Sequence, residues 1–195
     1  MDVTMRDAQF DVRGSRIRWT ESEGVGPARV YVHGLGAASA AYHAHIAARP
    51  ELAGRRSLFL DLPGHGLSDR PADFGYTLED HADAVAAALE GAGAHGAELI
   101  AHSMGGSVAI VLAHRRPDLV SRLILTEANL DPAPAETAGS SRIAAYEEEQ
   151  FVKEGHAAYS SRRGPCGLRP CGSPTRGHCT AVRPGSSGAP TPPCA

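Results

Sequence analysis

Four short apolar runs alternate with stretches of helical periodicity, and that alternation decides most of what this chain can fold into. The runs are Arg29–Val32, Ser57–Leu60, Glu98–Ala101 and Leu123–Thr126, each of strand length. Between the first two lies Ser39–Ala48, a helix with Ser39 as its expected N-cap and Pro50 beyond its end. Between the second and third, Leu78, Ala82, Val85, Ala86 and Leu89 hold helical spacing up to Gly91, and Thr77 with Asp80 forms a loose capping box. Ser103–His114 follows the third run; its middle, Val108–Ala113, is apolar all round, as in a helix packed deep against a sheet, and Pro117 ends it. Strands alternating with helices of this size imply βαβ units and a parallel sheet. Ala8–Val12 and Arg16–Thr20 flank Arg13-Gly14-Ser15 and predict a hairpin that adds antiparallel strands at one edge. The expected fold is α/β, a mostly parallel sheet of six strands with helices on both faces.

Composition sets a limit on how far that fold extends. The 195 residues leave room for one domain. Ser161–Ala195 holds five Arg, seven Pro, six Gly and all four Cys, with no Asp or Glu and no aromatic. Leu168 and Val182 are its only large aliphatics. Such a segment cannot offset the entropy of ordering its backbone, so residues 161–195 read as a disordered, low-complexity tail of charge +5. The preceding part carries −8, which gives no electrostatic case for nucleic acid. Met1–Arg18 has no apolar core of a signal peptide, and nowhere do about 18 apolar residues run together to span a membrane. A body without cysteine suits a reducing cytoplasm. In the tail, Cys166, Cys171, His178 and Cys179 lack the paired spacing of a zinc site, so no metal is expected.

The segment Leu99–Ser107, with sequence Leu-Ile-Ala-His-Ser-Met-Gly-Gly-Ser, carries the most chemistry. A serine on a sharp turn from strand to helix has its hydroxyl lifted clear of the backbone at the positive end of the helix dipole. Such a turn crowds the residues two before and two after the serine. Here both are small, Ala101 and Gly105. The alternative is a serine N-cap on an ordinary βα turn. Acyl transfer also needs backbone N–H donors aimed at a developing oxyanion. Met104 N–H, at the helix start, is one candidate; Leu35 N–H, in the turn His33-Gly-Leu-Gly36 that ends another strand, is the second.

His33–Gly36, Asp61-Leu-Pro-Gly-His-Gly-Leu-Ser-Asp69 and Ala101-His-Ser-Met-Gly-Gly106, in this order and spacing, resemble the α/β-hydrolases, a group with esterases, lipases, C–C-bond hydrolases and cofactor-free haloperoxidases. The resemblance spans about residues 8–160, and the family more often has Gly where this chain has Ala101. It implies a serine hydrolase acting on an ester or similar carbonyl small molecule through an acyl-enzyme on Ser103, with no cofactor. Acyltransferase and haloperoxidase chemistry share the same turn and stay open as alternatives. Members with an Asp nucleophile fit less well, because the turn holds Ser103. The resemblance also implies that Asp61 and His65 belong to a structural loop, and that His33 and His102 orient loops rather than act as bases.

In such enzymes the chain order is serine, acid, histidine. Glu127, just beyond the fourth run, is the candidate acid, with Asp131 behind it; it reads equally as a polar residue at a strand end. After it only His156 and His178 remain as bases. His156 sits in Phe151–Tyr159, which reads like part of a cap starting within residues 130–160, and His178 lies in the tail. No strand delivers either one, so the C-terminal strands of the family core are missing and the chain reads as a partial domain over 1–160. The tail has the composition that GC-rich DNA yields when read out of frame, and Lys153 is the only lysine in the chain. A catalytically incomplete, non-catalytic remnant is therefore the competing functional class, and its truncated sheet would expose an edge. Substrate identity and oligomeric state are not legible.

Overall fold

The computed structural model describes residues 3–130, 143, 145–155 and 157. The tail 161–195, Asp131, His156, His178 and most of the expected cap lie outside the described residues. The chain divides into two units, Met1–Glu147 and Glu148–Ala195. In the second, a helical turn, Glu148–Gln150, runs into a wider turn, Phe151–Gly155, and Lys153 pairs with Glu149 at 2.6 Å.

The first unit is built on a six-stranded sheet: β1 (Val3–Gln9), β2 (Arg16–Ser22), β3 (Val25–Val32), β4 (Arg55–Asp61), β5 (Ala97–His102) and β6 (Val120–Thr126), in the spatial order β1-β2-β4-β3-β5-β6. The hairpin β1–β2 is antiparallel, and β2 runs antiparallel along β4; β4, β3, β5 and β6 are mutually parallel. The fold class and strand count expected from the sequence are those observed.

Period-2 alternation splits the strand residues between two layers. Val30 and Val32, Leu58 and Leu60, and Leu99 and Ala101 point to one face, where α2 (Leu78–Gly91) and α3 (Met104–Arg115) cover them with Val85, Leu89, Val108 and Leu112. Tyr31, Phe59 and Ile100 point to the other face, under α1 (Ser39–Ala47). Tyr31 stacks on Phe59 there, with centroids 4.8 Å apart. The α2–α3 layer holds most of the core, with Leu58, Leu60, Leu89 and Leu99 at 0% exposure. Each such leucine contributes about 1.5–3 kcal/mol.

The connections fix where a site can form. From β3 the chain passes through α1 on one face to β4; from β4 it crosses back over β3, through α2 on the other face, to β5, and α3 then leads on to β6. The loops leaving β3 and β5 therefore depart to opposite faces from adjacent strands. That is the topological switch point at which open α/β sheets form a crevice.

Helix ends follow their side chains, with one correction. Thr77 caps α2 as expected: its Oγ1 accepts from Asp80 N at 3.1 Å, and Asp80 Oδ2 accepts from Thr77 N at 3.3 Å. Ser39 does not cap α1; the N-cap is Ala38. Ser39 is drawn inward instead, its Oγ donating to Tyr31 O at 2.9 Å and its N–H to Asp61 Oδ1 at 2.8 Å. The Asp61 carboxylate thus supplies the acceptor that a capping serine otherwise offers.

Among the described residues β6 pairs only with β5, and Ile124 and Leu125 are 43% and 38% exposed. No helix among them is long and apolar enough to cross a membrane.

His33, His43 and His81 are buried, and burial pushes each of their pKa values down to about 4. The unfolded chain takes up these protons near the ordinary histidine value of about 6.5, so only the folded state loses by acidification. This contribution is complete above pH 6.5, is lost progressively as pH falls from there toward 4, and is exhausted below 4. Thermal melts at half-unit pH intervals should show a plateau above about pH 7 and a Tm falling steadily from pH 6.5 to 4.5. A flat profile across that window would show that the histidines are hydrated or paired in the folded protein.

Candidate active site

Ser103 stands between β5 and α3 at φ 52°, ψ −123°, a region that side chains other than glycine rarely enter. It occupies the N-cap position, yet its hydroxyl makes no capping bond. The N-cap alternative therefore fails on geometry, since a capping serine has extended backbone and bonds the first turn. The strained conformation costs of the order of 1–3 kcal/mol and is held from outside. Ser103 N–H donates to Thr126 O at 2.9 Å, and Ser103 O accepts from Gly106 N at 2.9 Å.

The small residues around Ser103 are demanded by close packing, at Gly105 against backbone. A Cβ at Gly105 would lie 2.3 Å from His33 O and 2.9 Å from Val32 O. A Cβ at Gly106 would lie 2.6 Å from Ala128 Cβ. Ala101, on the strand side, is fully buried. The loop leaving β3 is packed as closely: a Cβ at Gly34 would lie 2.9 Å from both Ser103 Cβ and His102 Nδ1. The turn carrying Leu35 and the turn carrying Ser103 and Met104 are thus in direct contact at the switch point.

Loops around this point are anchored by His33 and Asp61. His33 is fully buried; its Nδ1–H donates to Gly34 O at 2.7 Å, and its Nε2 accepts from Leu62 N at 3.0 Å. Both nitrogens are occupied, and burial keeps the ring neutral. Asp61 accepts from Ser39 N and, at 3.0 Å, from Leu67 N, tying the start of α1 to the loop after β4. Gly66, at φ 48°, leaves room for the Asp61 carboxylate, which a Cβ there would meet at 2.0 Å. His65 lies against His33 with ring centroids 5.0 Å apart, and burial lowers its pKa.

The exit from β6 also meets Ser103. Asn129 Oδ1 accepts from Ser103 Oγ at 3.3 Å, and Asn129 O accepts from Ser107 Oγ at 2.6 Å. The Glu127 carboxylate lies on His102 Nε2 at 3.1 Å. Asn129 was not singled out in the sequence; its only signal is its position two residues after Glu127, beyond a strand end. A separate cleft of about 200 Å³ opens by Trp19, Arg56 and Gly91, away from Ser103. Its Glu21 is already bonded by Trp19 Nε1 and Arg56 Nε.

The chain belongs to the alpha/beta hydrolase fold family, whose model matches residues 28–153. It is 40% identical over 106 residues to a 2-hydroxymuconate semialdehyde hydrolase of Pseudomonas sp. (strain CF600), covering 52% of this chain and 36% of that protein. It is 34% identical over 120 residues to an sn-1-specific diacylglycerol lipase of Mus musculus, covering 62% of this chain and 37% of the relative. Among solved structures it is similar to an esterase from Exiguobacterium antarcticum, with a TM-score of 0.57 and 28% identity over 64% of this chain and 45% of the esterase. The chain spans little more than a third of the length of these curated relatives.

Gly105→Ala tests the close packing. Helix propensity alone favours the change by about 1 kcal/mol, whereas a Cβ 2.3 Å from a carbonyl oxygen forces α3 off β3. A net loss of about 2 kcal/mol is expected in chemical denaturation. An unchanged or raised stability would show that α3 can withdraw without cost.

Proposed function

We propose that this chain is a serine hydrolase whose nucleophile is Ser103, acting on an ester or a similar carbonyl-containing small molecule. The observation that carries the reading is the Ser103 backbone at φ 52°, ψ −123°, held at the switch point with no capping role. In this reading Ser103 Oγ attacks the carbonyl carbon while its proton passes to a base. The carbonyl oxygen gains the negative charge, which the N–H groups of Leu35 and Met104 stabilise. Collapse expels the leaving group with a proton from the base and leaves an acyl ester on Ser103, which water then hydrolyses. The chemistry calls for no metal or cofactor.

Among the described residues, base and orienting acid are the unfilled roles. Ser103 Oγ donates to a carboxamide, and His156, the candidate base, lies outside the described residues. Glu127, the candidate acid, is engaged by His102. That Asn129 contact favours a second reading, a non-catalytic chain of hydrolase descent, because a carboxamide oxygen accepts a hydrogen bond but cannot take up the proton.

A fluorophosphonate probe separates the two. Time-dependent labelling of the full chain, absent from Ser103→Ala, is expected for the hydrolase; short p-nitrophenyl esters then report turnover, and a panel of acyl acceptors separates hydrolysis from acyl transfer. A folded wild-type chain that stays unlabelled would establish the non-catalytic reading.

A further inference from the structure

Glu127 is the second residue at the switch point with a backbone that favours glycine, at φ 52°. Its carboxylate is 85% exposed and reaches one described partner, His102 Nε2, at 3.1 Å. A carboxylate has no proton to give, so Nε2 carries the proton of this bond. In the neutral ring that leaves Nδ1 as a bare acceptor, and Nδ1 is buried with no hydrogen-bond partner. The ring is packed on two sides. One face stacks on Tyr42 of α1 at 4.8 Å and 28°, and the Nδ1 edge abuts Gly34, where a Cβ would lie 2.9 Å away. The same point is 2.9 Å from Ser103 Cβ. His102 is therefore a wedge between α1 and the Gly34–Leu35 turn, and Glu127 grips its outer edge.

We propose that Glu127 is a positioning residue: by holding His102 in one tautomer and one ring orientation, it seats the Gly34–Leu35 turn against Ser103. The assignment replaces the triad-acid role with an indirect one. It deepens the serine hydrolase reading, on which its catalytic consequence rests, but its structural content stands apart from activity. Exposure of the carboxylate sets the size of the effect, since a charge-assisted hydrogen bond open to solvent is worth little.

Glu127→Gln and Glu127→Ala of the full chain test this. A glutamine carbonyl still accepts from Nε2–H; alanine does not. Long-range proton–nitrogen NMR of the His102 ring should show the Nε2–H tautomer in wild type and Glu127→Gln, and a tautomer mixture in Glu127→Ala. The amide signals of Gly34 and Leu35 should shift only in Glu127→Ala. Fluorophosphonate labelling of Ser103 should slow about three- to fivefold in Glu127→Ala and recover in Glu127→Gln. A triad acid behaves otherwise: the amide variant would lose activity by about 10⁴-fold, as in the serine protease precedent. Equal losses in both variants, or ring and amide signals indifferent to Glu127→Ala, would overturn the proposal. A wild-type chain that resists labelling would sink the serine hydrolase reading alone, and the NMR arms would still decide the role of Glu127.

Discussion

Everything at the switch point depends on the approach of α3 to the end of β3. Gly105 brings the first turn of the helix so near that only a hydrogen fits between its Cα and the His33 carbonyl. Were α3 a side chain's width further out, Ser103 would have space to relax into an ordinary capped turn. The positive φ at Ser103 is thus a consequence of packing: sheet and helix meet too closely for any extended residue to join them. The fully buried pair Val32 and Val108 holds the same approach from the apolar side. Backbone strain at one serine is sustained by burial spread over two layers.

His33 extends this closeness to the neighbouring loops. Its ring receives Leu62 N–H and donates to Gly34 O, so one side chain joins the exits of β3 and β4. Asp61 joins the exit of β4 to the start of α1. These polar groups sit in a site resembling a catalytic centre, yet each has its hydrogen-bonding capacity directed at backbone. Buried polar groups satisfied in this way specify a single loop arrangement.

Much of this was legible in sequence, for identifiable reasons. The strands and helices of the sheet announce themselves through apolar runs and periodicity, and the α2 capping box through Thr77 and Asp80. Ala101 and Gly105 marked the turn because steric crowding there is local along the chain. The failures involve partners distant in sequence. Ser39 looked like a cap, but Asp61, twenty-two residues on, supplies the acceptor instead. For Glu127 the sequence left acid and plain strand-end residue open, and the contact of its carboxylate with His102 was not legible there. Asn129 reaches Ser103 only because β6 lies in register beside β5, with His102 opposite Thr126. Pairings across a parallel sheet are set by register, and register is invisible in either strand alone.

The switch point also has a consequence for how such a chain can diversify. Its floor includes the turns at Gly34–Leu35 and Ser103–Gly106, whose glycines leave no room for a Cβ. At these glycines a substitution dislodges a helix or a loop. Variation is therefore confined to the positions around these glycines. The glycines are then a fixed seat, and variety belongs to the side chains beside them.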